Sequence, residues 1–121
     1  MGTIHRRRGG AWRWDGVALA EYLPSAGALA SKQVLIGPAD GAGNFALRYF
    51  EIAPGSASSL DTHAHDHGVF VLCGRGFVRL GEERHVIAAG DVVYVAPHEV
   101  HQFENAGPEV LGFLCVVPGT R

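Results

Sequence analysis

The sequence carries little excess charge of either sign. Its formal net charge is −2 at neutral pH and its isoelectric point lies near 6.4. Proteins that bind nucleic acid or anionic membranes usually present a basic surface, so we expect neither as a partner. The short basic segment at residues 5–8 (HRRR) is interpreted as a solvated terminal arm.

Long apolar segments are lacking as well. No apolar run approaches the ~20 residues that span a bilayer, and the early arginines are not followed by the apolar core of a secretion signal. We therefore expect a cytoplasmic protein with no membrane partner. The chain has only two cysteines, Cys73 and Cys115. Because cytosolic thiols stay reduced, both are expected to be free.

Glycine and apolar residues, by contrast, are abundant. The 17 glycines and the 47% hydrophobic content suit a turn-rich β fold with a real core, and 121 residues are enough for one domain. Short β-branched segments alternate with glycine turns, which is typical of an antiparallel sandwich or barrel. The predicted strands are residues 32–36, 45–52, 67–73, 77–80, 84–88, 92–95, 100–103 and 110–117.

Histidines occupy the alternate positions His63, His65 and His67, and another follows at His101. Side chains of an extended segment alternate between faces, so the first three share one face. Imidazole suits several transition metals, although solvated histidines at a strand end are the simpler alternative. A straight strand would hold the outer two about 13 Å apart, whereas ligand nitrogens lie ~2.1 Å from an ion. A shared ion therefore requires a bend or bulge at Asp66 or Gly68.

The segment that contains His101 follows the pattern G(x)5PxG(x)2H(x)3N. Its first glycine is Gly90, and Asn105 ends it in register. Ala96 and His98 stand where the pattern has proline and glycine. This pattern is the second motif of the cupins, and the chain resembles that family.

The first cupin motif, G(x)5HxH(x)3-4E(x)6G, is matched more loosely. Gly55 lies seven residues ahead of His63 instead of five, the pair His63 and His65 is present, and His67 stands where the family usually carries glutamate. The resemblance implies an all-β fold, a double-stranded β-helix or jelly-roll β-barrel. Residues 1–30 would form an N-terminal arm or strand and residues 31–121 the barrel.

The resemblance also implies a metal centre with one transition-metal ion per chain, of Mn, Fe, Ni, Cu or Zn. The ligands it implies are His63, His65, His67 and His101. Cys115 is expected either to be a small buried hydrophobic side chain or, if it faces the barrel interior, to bring its sulfur near the metal. Small cupins commonly pair through their N-terminal segments, so Trp12 and Trp14 are candidate contacts of a homodimer, or alternatively cover their own barrel.

Three functions are compatible with this reading, since a fold does not determine a reaction. The first is a metal-dependent oxidoreductase, similar to a dioxygenase, acting on a small, largely apolar or aromatic molecule. The second is a metal-dependent isomerase or lyase, and the third is a sensor that binds a small-molecule ligand without turnover. No catalytic residue is assigned, but an isomerase needs a general base, and the candidates are Glu51, Asp61, Asp66, His85, His98, Glu99 and Glu104.

The lining of the barrel is expected to decide the substrate. An apolar pocket is predicted from Val69, Phe70, Val71, Leu72, Phe103 and Phe113. Arg48 and Arg79 alternate with apolar neighbours and are therefore expected to point outward. Without interior cations a phosphate group would have no clamp, so sugar phosphates are disfavoured as substrates.

Overall fold

The structure is a computed structural model that describes residues 1–22 and 29–119. These residues form nine strands and one short 3-10 turn, Pro38–Asp40. The strands are β1 (Leu19–Tyr22), β2 (Ala30–Ile36), β3 (Phe45–Ile52), β4 (His67–Cys73), β5 (Arg75–Leu80), β6 (Glu83–Ala88), β7 (Val92–Val95), β8 (His101–Glu104) and β9 (Leu111–Pro118). Within the described ranges, no helix has the length and apolar character needed to cross a membrane.

The strands form two antiparallel sheets. The larger sheet has the order β1-β2-β3-β9-β4-β7 and the smaller has the order β6-β5-β8. The all-β fold expected from the sequence is thus confirmed, and every predicted strand is present with ends shifted by two residues or fewer. The neighbours β3, β9 and β4 are distant in sequence, so the centre of the large sheet is built from non-local pairs.

Glycine turns set the path between the sheets. Gly74 separates β4 in one sheet from β5 in the other, and its φ of 80° lies in the left-handed region that side chains disfavour. A Cβ at this position would also lie 2.1 Å from the carbonyl oxygen of Val110. Only glycine therefore allows the chain to change sheets so close to the loop that precedes β9.

The hydrophobic core lies between the two sheets. Alternate residues of each strand face inward, so the antiparallel register sets Val71 beside Phe113 and Val69 beside Cys115. Burying a side chain of this size contributes about 1.5–3 kcal/mol. The buried cluster comprises Ile52, Val69, Val71, Val78, Ile87, Val93, Val95, Phe103, Leu111, Phe113 and Cys115.

The N-terminal segment covers the outer face of β2 and β3. Tyr49 is completely buried there, because the rings of Trp12 and Trp14 lie 6.1 Å and 5.4 Å from its ring. Gln33 Nε2 donates a 2.9 Å hydrogen bond to the carbonyl of Trp12. Both tryptophans are half-buried against their own barrel, which agrees with the second of the two alternatives. Their contact with a second chain, and the homodimer itself, stay predictions.

Replacing Trp14 with alanine should destabilise the protein by about 2 kcal/mol, because it removes a large half-buried ring from Tyr49 and Trp12. Urea denaturation followed by circular dichroism measures the change. Trp14→Phe is the matched control. It keeps an aromatic ring on Tyr49 and should therefore lose much less stability than Trp14→Ala. A Trp14→Ala variant as stable as the wild type would show that the arm does not anchor on β3.

Candidate metal centre

Three of the four predicted histidines meet at one end of the barrel. His63 lies in the loop before β4, His67 begins β4, and His101 begins β8. One ligand nitrogen from each lies within 4.8 Å of the other two. Nitrogens bound ~2.1 Å from one ion lie roughly 3–4 Å apart, so small side-chain adjustments bring all three to one metal.

Backbone hydrogen bonds hold the loop of His63 against β8. Asp61 and His101 exchange two of them, Asp61 N to His101 O at 3.0 Å and His101 N to Asp61 O at 2.9 Å. Further along, His98 N donates to the carbonyl of His63 at 2.6 Å, and Thr62 Oγ1 donates to the carbonyl of His98 at 2.8 Å. These bonds fix the separation of ligands that are far apart in sequence.

The bend that the histidine spacing demands lies earlier than predicted. Ala64 and His65 form the bend, and β4 is already regular from His67 onward. The predicted alternative at Gly68 is wrong, because Gly68 pairs in register with Tyr94 on one side and with a β9 residue on the other. The bend turns His63 back over the end of β4, where it meets His67.

His65, the fourth predicted ligand, lies at the edge of this cluster. Its ring centroid is 4.7 Å from that of His67 and 5.1 Å from that of His63. Its side chain is exposed, and its nitrogens lie outside the set whose members are all within 4.8 Å. The fold therefore assembles a triad of two buried histidines and the half-buried His63, with one exposed histidine beside it.

The hydrogen bonds of the imidazoles leave ligand atoms available. His101 Nδ1 lies 3.0 Å from the carbonyl oxygen of Glu99. Because a carbonyl only accepts, the proton of the neutral ring is on Nδ1, and Nε2 keeps a free lone pair for a metal. His67 Nδ1 lies 3.4 Å from Cys115 Sγ. His67 Nε2 is buried and has no hydrogen-bond partner among the described residues. An unpaired buried nitrogen costs about 1–3 kcal/mol, and a metal ion would satisfy it, so the residues fit a metal.

The environment also favours the neutral, ligating form of His63 and His67. Burial, together with the smaller effects of the neighbouring His101, His65, His63 and Arg48, lowers the pKa of His67 to about 4. Burial likewise lowers the pKa of His63, although the carboxylate of Asp61 opposes the shift. Both side chains are therefore unprotonated at neutral pH, as metal ligation requires.

The triad opens into a cavity of about 200 Å³ between the sheets. One wall is aromatic: the ring of Phe113 stacks on those of Phe103 at 4.4 Å and Phe50 at 5.6 Å. The predicted apolar lining is right for Phe103 and Phe113 but wrong for Phe70, which is 44% exposed on the outer face of β4. The lining residues are Lys32, Arg48, Phe50, Ser58, Ser59, Asp61, His63, His67, His101, Phe103, Phe113 and Cys115.

Arg48 points into this cavity, and the expectation that it faces outward is corrected. Its Nη2 lies 3.3 Å from Cys115 Sγ, its neighbour across the strand pair. Alternation misled the prediction because both faces of β3 are covered, one by the barrel interior and the other by Trp12 and Trp14. Lys32, on the adjacent β2, lines the same cavity and was missed. Lys32 pairs across the strands with the inward-facing Phe50, and this pairing is the signal that its side chain also faces inward.

Of the seven candidate general bases, Asp61 lines the cavity. Its carboxylate accepts a hydrogen bond from the hydroxyl of Ser59. Other candidates have structural partners elsewhere: Glu99 accepts from the amide of Ala96, Glu104 pairs with Arg84, and Asp66 accepts from Tyr94. The structure thus reduces the proton-transfer candidates to one carboxylate beside the histidines.

The final asparagine of the second motif, Asn105, has a structural role. Asn105 Nδ2 donates to the carbonyls of Ile52 at 2.8 Å and Glu109 at 2.7 Å, and its Oδ1 accepts from the amide of Gly107 at 2.9 Å. Because it satisfies three backbone groups in a buried loop, it ties β3 to the chain that follows β8. The asparagine lies outside the cavity lining.

Comparisons with known proteins agree with this architecture. The family model of the cupin domain, Cupin_2, matches residues 48–117. A 1-methylthio-D-xylulose 5-phosphate methylsulfurylase from Rhodospirillum rubrum is 39% identical over 113 residues, covering 91% of this chain and 71% of that protein.

Solved structures give the same result over nearly the whole chain. A cupin 2 conserved barrel domain protein from Rhodopseudomonas palustris has a TM-score of 0.84 at 37% identity, covering 98% of this chain and 82% of that one. A cupin-2 domain from Rhodospirillum rubrum has a TM-score of 0.82 at 37% identity, covering 96% and 78%. The similarity therefore includes the N-terminal segment as well as the barrel.

Replacing His98 with glycine should stabilise the protein by about 0.5–1 kcal/mol. His98 occupies the motif's glycine position with a φ of 64°, a left-handed conformation that costs most side chains roughly 1–2 kcal/mol, partly offset by the greater freedom of glycine in the unfolded chain. Thermal denaturation measures the gain. The control His98→Ala keeps the unfavourable φ and should show no gain in stability. Equal stability of the two variants would contradict the explanation.

The metal-free protein should lose stability as the pH falls from about 6.5 toward 4. In this window the unfolded chain protonates His67 at its ordinary pKa near 6.5, while the folded chain, with a pKa of about 4, does not, so protons favour unfolding. Urea denaturation of the chelated protein at several pH values measures how steeply the free energy of unfolding changes with pH. His67→Gln should flatten it, whereas the exposed-site control His85→Gln should not; an unchanged slope in His67→Gln would refute the assignment.

Proposed function

Because this chain belongs to the cupin domain family, we propose that it is a metal-dependent enzyme acting on a small organic molecule in the cavity beside His63, His67 and His101. These three histidines would hold one transition-metal ion, with His65 at the edge of the set as a fourth candidate ligand. The observation that carries the proposal is the buried Nε2 of His67, which has no hydrogen-bond partner among the described residues, in a side chain that shares a cluster of ligand nitrogens with His63 and His101.

A transition-metal ion held by His63, His67 and His101 would supply Lewis-acid polarisation of a substrate oxygen. The side chains around it do the rest. Asp61, oriented by the hydroxyl of Ser59, accepts a proton from the substrate. The stacked rings of Phe50, Phe103 and Phe113 exclude water from one wall and pack against the apolar part of the substrate.

A polar, non-redox reaction is the candidate we favour. It uses the carboxylate of Asp61, which lines the cavity beside His63. It also agrees with the 39% identical relative, which is named as a methylsulfurylase of a sugar phosphate and not as an oxygenase. Elimination, isomerisation and transfer at a carbon next to a carbonyl can all use a metal that polarises the carbonyl and a base that removes the proton.

An oxygenase similar to the dioxygenases is the second candidate. His63, His67 and His101 would hold the ion, and iron, manganese or copper bound there would supply O2 chemistry. The aromatic wall of the cavity would suit an apolar substrate. Oxygen uptake separates the two candidates.

Protein purified without added metal should contain about one transition-metal ion per chain. Elemental analysis measures the content, and each of His67→Ala and His101→Ala should lower it at least tenfold, because either change removes one of the three converging nitrogens. The exposed His85→Ala is the control and should keep full occupancy. Full occupancy in His101→Ala would mean that the triad is not the site.

The metal-loaded protein should convert a polar substrate without consuming oxygen. We would follow 1-methylthio-D-xylulose 5-phosphate by phosphorus NMR, with and without a small thiol as acceptor, and monitor an oxygen electrode with a panel of phenols and diketones. Asp61→Asn should abolish conversion and leave the metal content unchanged. Oxygen uptake with any member of the panel would instead favour the second candidate.

A further inference from the structure

We infer that Arg48 and Lys32 form a subsite for a dianionic phosphate group of the substrate. The inference rests on the proposed function in that it concerns the same cavity, and it assigns a substrate class opposite to the one that the sequence indicated. It begins from the register of the three strands that form one wall of the cavity.

The register turns both cations toward the interior. Arg48 on β3 pairs with Cys115 on β9, and Lys32 on β2 pairs with Phe50 on β3. Phe50 and Cys115 both line the cavity that holds the histidine triad, as do the two cations. Two half-buried positive side chains from neighbouring strands therefore share one partly open cavity with the candidate metal ligands.

The donors of Arg48 are largely unused. Its Nε is buried and has no hydrogen-bond partner, and its Nη2 contacts a sulfur at 3.3 Å, which is a weak acceptor. The guanidinium carbon lies 5.0 Å from the centre of the Phe50 ring, so an aromatic face holds the group in position. A fixed guanidinium with free donors is suited to receive an oxyanion in two parallel hydrogen bonds.

The charges around the cavity do not balance. Within residues 1–22 and 29–119, neither Arg48 nor Lys32 forms an ion pair. Asp61 is the one acidic side chain in the lining, and among the described residues its carboxylate lies beyond ion-pair distance of both cations. Enclosed charges are normally paired because desolvation is costly, so the missing partner is an anion that comes from outside the chain.

Two cations favour a phosphate monoester over a carboxylate. A phosphate monoester carries close to two negative charges at neutral pH, which matches one guanidinium and one ammonium, whereas a carboxylate carries one. Arginine supplies the directional pair of hydrogen bonds and lysine a point charge. The substrate then spans the cavity, with its phosphate at Arg48 and Lys32 and its reacting end at the histidines.

Inorganic phosphate is the probe, titrated by calorimetry into the protein with its native metal at constant ionic strength. Arg48→Gln and Lys32→Gln should each weaken phosphate binding at least tenfold while the metal content stays unchanged. Arg79→Gln is the matched control: Arg79 Nε donates to the carbonyl of Gly81 at 2.8 Å and the residue does not line the cavity. Its affinity for phosphate should equal that of the wild type.

The unfolding temperature is a second measurement, which tests whether the variants are correctly folded. Phosphate should raise the unfolding temperature of the wild type and of Arg79→Gln but not that of Arg48→Gln. Without phosphate, Arg48→Gln should unfold at the same or a higher temperature, because it removes an unpaired enclosed charge. A large drop in its unfolding temperature would contradict the inference that Arg48 is free for a ligand.

The outcomes separate this inference from the proposed function. Chelated protein and His101→Ala should still bind phosphate through the two cations, so phosphate binding without metal supports the subsite even if the metal proposal fails. Phosphate binding that disappears with the metal, or persists unchanged in Arg48→Gln, would overturn the subsite. A titration with acetate that matches phosphate in affinity would overturn the assignment to a dianion.

Discussion

The backbone hydrogen bonds between Asp61 and His101 are the constraint on which the site depends. They join a loop that carries two histidines to the first residue of a strand in the smaller sheet. Without them His63 would have no fixed position relative to β8. The bond from the His98 amide to the carbonyl of His63 adds a second point of attachment, and the triad can therefore form before any ligand binds.

Interior polar groups at this end of the barrel are left without partners. His67 Nε2 and Arg48 Nε are both buried and unpaired within the described ranges, and each costs stability that the apolar core must offset. A bound ligand or ion that completes the hydrogen bonds is one reason why folded proteins retain such groups. Both residues line one cavity, which is why a metal and an anion are natural candidates for the same site.

The strands and the motif register were predictable because they depend on local patterns. Val92–Val95 and Phe45–Ile52 were located to the residue, since glycine turns and β-branched segments mark strand ends. The side-chain directions on β3 could not be predicted in this way. Alternation indicates a buried and an exposed face only when one face meets water, and Tyr49 is as buried as the core. Arg48 was therefore assigned to the wrong side.

The sequence by itself determined the all-β fold, the two histidine motifs and the need for a bend between them, because chain geometry and turn chemistry act over a few residues. The tertiary structure decided which histidines converge, that Lys32 and Arg48 face them, and that Trp12 and Trp14 cover their own barrel. These outcomes depend on pairings such as Arg48 with Cys115, which join residues distant in sequence, and no local pattern encodes which strand becomes the neighbour of another.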